Sequence, residues 1–342
     1  MKNMNLNLIM AAALAAGTMI SAGAAKAEDL AQTKARQQMS VTQGLGESSL
    51  AVLQRGGSQD QNDVAALLIG KLKPMSTHQS TNDGGTLRTT GEQWTLEVSS
   101  DGSAAEYRDL AVEATAHSLG RPLAQKMTAA EMEQRGRAFV ASNLASQIVL
   151  AKGEELVALR ADYRSEGGKD LATGVTSSAV VANRIVLGRT INGVPVVGNG
   201  SKVIVTFTND GSVESFRYDW PAYQAGSTQM LVGASELLTR VQKVMGVRNG
   251  ETPTGVVALP GKVANAYPVA LTAKTQLQSL ECGYYDSGSK ARKSNAVQPG
   301  CTYLTVSQDA NGMRAGYAGA VPAGATFAAD AGWLETRILT AK

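Results

Sequence analysis

The chain has 342 residues, long enough for two domains or one large one, and its 43% hydrophobic and 18% charged residues are the balance of a folded rather than a disordered protein. Two histidines and two cysteines leave no material for a multi-His or Cys-rich zinc site, and 36 Gly against 9 Pro excludes Pro-rich and collagen-like chains. The formal charge of +3 is small and dispersed, which speaks against a nucleic-acid partner.

Taken in chain order, the first signal is for export. Lys2 gives a short positive start, Leu6 to Ile20 is mostly apolar, and Ala25-Lys26-Ala27 fits the small-x-small cleavage rule. Residues 1–27 are therefore predicted to be a cleaved signal peptide. A membrane span needs about 20 strongly apolar residues, and this run is shorter and rich in Ala and Gly, so no transmembrane segment is expected once it is removed. The mature chain is expected to be secreted or periplasmic. Residues 28–90 hold polar tracts with little periodicity, at Gln37-Gln38, Ser58 to Asp63 and Ser76 to Gly85. They predict a loosely ordered N-terminal region with one or two short helices.

From Trp94 the pattern changes. Trp94, Leu96 and Val98 alternate with Thr95 and Glu97, a strand signal. Ser99 to Gly102 is turn chemistry, and Ala104 to Tyr107 returns as the partner strand. Thr128-Ala129-Ala130-Glu131 is a capping box that opens a helix with one apolar face, running to Gly153. Gly136 inside this helix costs about 1 kcal/mol relative to Ala unless close packing uses it. Strands follow at Leu156 to Tyr163, before a Ser165 to Gly168 turn, and at Val180 to Ile191. Asn192-Gly193 supplies the positive-φ pair of a tight hairpin, and Val194 to Val197 begins the return. Val203 to Phe207 and Val213 to Trp220 are joined by the Asn209-Asp210-Gly211 turn. A similar order recurs beyond Pro221 to Gly226: a helix capped by Ser235 and stopped at Gly246, then strands at Val256–Leu259, Val263–Leu271, Thr302–Val306 and Met313–Tyr317.

The run Arg184 to Val196, continued by Ser201 to Phe207 and Asn209 to Val213, resembles the propeptide domains of thermolysin- and fungalysin-type secreted peptidases and the related PepSY modules. The resemblance covers about residues 128–220, with the helix from Thr128 where such domains carry theirs. It implies an α+β fold, antiparallel sheets each packed by a helix in the cystatin/PepSY manner. It also implies a non-catalytic protein-binding module that inhibits or chaperones an exported peptidase, with no cofactor. No peptidase follows in the chain, since H-E-x-x-H is absent and His78 and His117 are its only histidines. The expected organisation is a signal peptide (1–27), a loosely ordered region (28–90), a PepSY-like domain (91–222) and a second α+β domain (223–342).

Export also sets the reading of Cys282 and Cys301, which in an oxidising compartment predict a disulfide across a polar, Gly/Ser-rich loop. No metal-ligating constellation surrounds either histidine, and no G-x-S-x-G elbow occurs. Ser287 to Lys290 matches S-x-x-K but lacks the accompanying S-D-N and K-T-G. Catalytic, cofactor and metal residues are therefore expected to be absent. The expected contact element is the hairpin Ile191, Asn192, Gly193, Val194, Pro195 and Val196, acting on a protein partner by strand addition or by covering a peptidase cleft. Two alternatives stay open. One is a structural or adhesive envelope protein. The other is a hydrolase in which Asp162, Asp219 or Glu281 would converge in a cleft.

Overall fold

The computed structural model describes residues 49–249, 269–270, 275–292, 294–308, 314–326 and 337–340. In chain order the elements are β1 (Ser49–Gly56), α1 (Gln61–Leu72), β2 (His78–Asp83), β3 (Thr86–Gly91), β4 (Trp94–Val98), β5 (Ala104–Asp109), α2 (Leu110–Thr115) and α3 (Ala129–Asn143). Then come β6 (Glu154–Lys169), β7 (Thr176–Ile191), β8 (Val194–Gly198), β9 (Lys202–Thr208), β10 (Val213–Asp219), β11 (Ala222–Met230) and α4 (Ala234–Asn249). The last are β12 (Val269–Ala270), β13 (Thr275–Asp286), β14 (Ala296–Gln308), β15 (Arg314–Pro322) and β16 (Arg337–Thr340). The signal segment, the strand expected at Val256–Leu259 and most of that at Val263–Leu271 lie outside the described residues.

The chain divides into two compact units, one of them Arg55–Asn192 with Asn199–Tyr223. Its sheet runs β6-β7-β9-β10-β5-β4-β3-β2 and is antiparallel throughout. Period-2 alternation sorts the strands onto two faces. Across five of them Leu96, Tyr107, Phe216, Val205 and Ile185 stand in one register row, and all are buried. The neighbouring row, Thr95, Arg108, Ser215, Thr206, Arg184 and Asp162, belongs to the opposite, polar face. Burying each large apolar side chain contributes about 1.5–3 kcal/mol, so register is set by which row faces the helices.

Helix α3 lies on the apolar face. Thr128 Oγ1 accepts from the Glu131 N–H, and Glu131 Oε2 accepts from the Thr128 N–H, so the capping box closes as its sequence predicts. Phe139 meets Phe216 with ring centroids 5.3 Å apart, and Phe216 stacks on Tyr107 at 5.4 Å. Gly136 is used for close approach: a Cβ there would sit 2.6 Å from Cγ2 of the buried Ile185.

The other unit holds the described residues of Met1–Gln54, Gly193–Gly198 and Gln224–Lys342. Strand β13 pairs antiparallel with β14, β14 with β15 and β15 with β16. Leu53 and Gln54 of β1 pair with the first residues of β14, and β8 runs parallel to the end of β13. This sheet is therefore mixed. Leu237, Leu238, Val241 and Met245 of α4 bury against Leu277, Leu280, Tyr303 and Val321. Cys282 and Cys301 stand directly opposite each other in the β13–β14 ladder and form a disulfide within this core. Where a polar loop between Cys282 and Cys301 is expected, the two strands continue past the bridge as paired backbone, Gly283 opposite Gly300 and Tyr285 opposite Gln298.

The expected class, α+β with a helix packing each cystatin/PepSY-like sheet and two such units in tandem, is corrected by these elements. Among the described residues the protein is mostly β, 52% strand against 20% helix. Two physical reasons account for the difference. Strands β2 and β3 lie within the segment expected to be loosely ordered. Ser80, Thr81, Thr89 and Thr90 give them strand-compatible backbone without the apolar alternation that marks a strand in sequence. The Ser165 to Gly168 stretch, expected to turn, instead continues β6, because Gly167 and Gly168 adopt extended backbone opposite Ser178 and Ser177.

Gly136→Ala is expected to destabilise the fold by about 1–3 kcal/mol, the cost of overpacking against Ile185, read as a lower urea midpoint at unchanged slope. Replacing Cys282 and Cys301 together by Ala releases a loop with a sequence separation of 19 and is expected to cost about 3 kcal/mol. Thermal unfolding with and without reductant checks the same quantity in the unaltered chain.

Candidate functional site: a braced hairpin

The longest strands, β6 and β7, have 16 residues each. They pair from Glu154 opposite Ile191 to Lys169 opposite Thr176. The other edge of β7 meets β9 only from Ala182 to Gly188. The far end of the hairpin therefore outruns the sheet that carries it.

Its near end is anchored by Arg189, only 1% exposed, whose guanidinium lies 4.0 Å from the centre of the Trp220 ring and 4.9 Å from that of Tyr223. Arg189 Nη1 donates to the Pro221 carbonyl at 2.9 Å and lies 3.5 Å from Glu154 Oε1. Trp220 Nε1 donates to the Val149 carbonyl at 3.1 Å, which ties the same corner to the segment after α3.

Further along, ion pairs brace the hairpin. Asp162 accepts from Arg184 Nε at 2.5 Å and faces Arg160 Nε at 2.7 Å. Arg164 donates through both terminal nitrogens to the Glu214 carboxylate, at 2.9 and 3.1 Å, from β6 to β10. Lys126 Nζ sits 4.8 Å from the Tyr163 ring centre, and His117 Nδ1 meets Glu166. The segment after α2 closes the bracing: Arg121 and Val180 exchange both backbone hydrogen bonds, and Asn209 Nδ2 donates to the Leu119 and Val180 carbonyls. The last braced positions are thus Glu166 on one strand and Val180 on the other.

Beyond them Gly167–Ser178 is exposed at every residue. This tip is nevertheless ordered by its own hydrogen bonds. The Asp170 N–H donates to the Val175 carbonyl at 2.9 Å, and the Gly174 N–H donates to the Asp170 carbonyl at 2.8 Å. Asp170 Oδ1 accepts from the backbone N–H groups of Ala172 and Thr173 at 2.8 and 3.1 Å, and Gly174 takes φ +72°, which favours glycine. These N–H donors, Thr173 foremost, hold the Asp170 carboxyl below its ordinary value. The side chains this turn holds out are Leu171, 93% exposed, and Val175, 64% exposed.

The free edges of the hairpin are blunted. The β6–β7 register shifts between Ala158 and Arg160, where Leu159 is the extra residue and covers Gly188, and again between Arg164 and Ser165. Such bulges twist an edge and interrupt its ladder, so the tip is better built for contact than the flank.

The residues singled out in the sequence fall elsewhere. Asn192 (φ 49°) and Gly193 (φ 81°) form the expected turn and are exposed. Ile191, Val194 and Pro195 are half-buried and Val196 is buried, and β8 is already paired with β13 through Val196 and Val197. The Pro195 carbonyl packs so closely on Gly283 that a Cβ there would lie 2.0 Å away. Asp162 is held between its two arginines, and Asp219 is buried on β10, three strands away in the sheet. Glu281 belongs to the other unit. Among the described residues no group of three or more His, Cys, Asp or Glu is arranged to hold a metal ion, and no helix is long and apolar enough to cross a membrane. The signal for the tip was present in sequence as Asp170-Leu171-Ala172-Thr173-Gly174, an Asp-led turn closed by glycine, but it stood beyond a strand read as ending at Tyr163.

No protein-family model matches the chain, and no curated protein matches it.

Asp170→Ala is expected to leave global stability unchanged, because the carboxylate is fully exposed, while speeding amide exchange at Ala172 and Thr173. In the unaltered chain the same loosening is expected with acid. A carboxylate held low by the folded turn supports it fully above the ordinary Asp value of 3.8 and loses that support as the pH falls through its depressed value. Amide exchange or NMR shifts of the tip between pH 5 and pH 2, with the β9–β10 signals as reference, measure it.

Proposed function

We propose that this is an exported binding module that modulates a secreted or periplasmic peptidase, with the β6–β7 hairpin as its contact element. One observation carries the reading: a hairpin braced up to Glu166 and Val180 ends in a fully exposed tip that its own hydrogen bonds hold in one shape. A segment ordered before binding loses little conformational freedom on docking, so more of the contact energy appears as affinity. A convex, rigid tip suits a concave partner such as a peptidase cleft.

Three further features support it. The Ala25-Lys26-Ala27 pattern after an apolar run fits export. The Cys282–Cys301 disulfide suits an oxidising compartment. The run Arg184 to Val213 resembles the propeptide domains of secreted peptidases, whose role is to bind a peptidase.

The purified chain, added in increasing amounts to the periplasmic and secreted fractions of its native cell, is expected to suppress a peptidase activity in a saturable manner. That peptidase is then expected to co-elute with the chain on gel filtration. Unchanged proteolysis across both fractions, with the chain itself self-associating or retained on the cell surface, would replace this reading by the envelope-protein one.

A further inference from the structure

The exposed tip says more about its partner than that it has a cleft. Among its twelve projecting residues, Gly167–Ser178, the charged side chains are Lys169 and Asp170. The Asp170 carboxylate accepts from the Ala172 and Thr173 amides, which fixes its position at the base of the turn while leaving it charged and exposed. Lys169 is exposed and has no ion-pair partner among the described residues. The tip is therefore aliphatic at Leu171 and Val175, with one cation, Lys169, and one anion, Asp170, next to each other at its base.

Leu171 differs from the other exposed apolar residues of the two units. Leu67, Leu150, Leu110, Leu123, Met230 and Val149 are 39% to 62% exposed, which is ordinary for single apolar residues on a surface. Met75 is 94% exposed but sits in the link between α1 and β2 rather than at the end of a braced element. Leu171 combines near-complete exposure with a hydrogen-bonded turn and a rigid stem, the arrangement of an anchor side chain that enters a pocket without rearrangement.

We propose that Leu171 is the anchor that fills the apolar primary specificity pocket of the partner peptidase, with Lys169 facing an acidic group on the pocket's rim. This rests on the peptidase-modulating reading above and specifies its contact. Val175 would pack at the mouth of the pocket, since its carbonyl accepts from the Asp170 N–H across the turn and it is less exposed than Leu171. The partner class follows from the chemistry: an exported peptidase selecting a medium-sized aliphatic side chain, rather than one whose pocket holds a buried carboxylate for Lys or Arg.

The test titrates the full chain against four peptidases, thermolysin, subtilisin and chymotrypsin with apolar pockets and trypsin with an acidic one, alongside the native-fraction peptidase found above. Inhibition of at least one apolar-pocket enzyme or of the native peptidase is expected. L171D is expected to weaken it by about 100-fold, as loss of a buried anchor does, and L171M by no more than about 3-fold, because a volume-conserving apolar swap keeps the pocket filled. K169E is expected to weaken it less, and more at low than at high salt. Circular dichroism controls the fold, which a residue as exposed as Leu171 leaves intact. If inhibition is present but L171D and V175D both match the unaltered chain, the tip assignment fails while the peptidase reading stands. If trypsin alone is inhibited and K169A abolishes it, Lys169 is the anchor and the aliphatic pocket is wrong. If neither the four enzymes nor the native fractions respond, both readings fall.

Discussion

The constraint on which the candidate site depends is a mismatch of strand lengths. Strand β7 is 16 residues long and paired with β6 throughout, but β9 is 7 residues long and supports only its middle. Hydrogen bonding between β6 and β7 is satisfied within the pair, so the hairpin can leave the sheet without stranding its inner backbone groups. What it lacks beyond the sheet edge is an apolar face to hold it, since two strands alone are marginal in water.

The bracing supplies what the sheet cannot. Bidentate Arg164–Glu214 and the Arg184–Asp162–Arg160 group cross from one strand to another on the polar face, while Arg121 and Asn209 grip Val180 from below. Pairs with one partly buried partner keep more of their attraction than exposed ones, which salt and side-chain entropy erode. The Arg189 corner is the deepest of these contacts. A buried guanidinium is costly unless its charge is offset, and here a carboxylate, a carbonyl and two aromatic faces lie against it. That corner fixes where the hairpin starts, and the ion pairs fix its direction.

Function is proposed from the same mechanics. A rigid stem with a pre-formed apex makes a recognition element from very few residues, because the ordering cost is met in folding rather than in binding. The blunted flanks point the same way: bulges at Leu159 and Val181 interrupt the edges along which another strand would add. Strand addition at the Asn192-Gly193 hairpin is unfavourable on similar grounds, since β8 already lies against β13.

Much of the local structure was legible in sequence, and the residues show why. The Thr128–Glu131 capping box, the Trp94–Val98 alternation, the Asn192-Gly193 turn and the pairing of the two cysteines all rest on interactions within a few residues or on compartment chemistry. Such signals survive without knowledge of the fold. The polar strands β2 and β3 were not legible, because Ser and Thr carry no inside–outside pattern until Leu87 and Thr89 are placed against the core. The continuation of β6 through Gly167 and Gly168 was hidden for the same reason: glycine permits both a turn and an extended strand, and only the opposing Ser177 and Ser178 select between them. By itself, then, the sequence determined the Thr128 cap, the Asn192-Gly193 turn, the disulfide and the apolar rows of the strands. Tertiary structure alone decided that sheets dominate, that β8 pairs with β13, and that Leu171 stands at an exposed apex. Each of those outcomes depends on which distant strand lies alongside, and strand partners are chosen by contacts far apart in the chain.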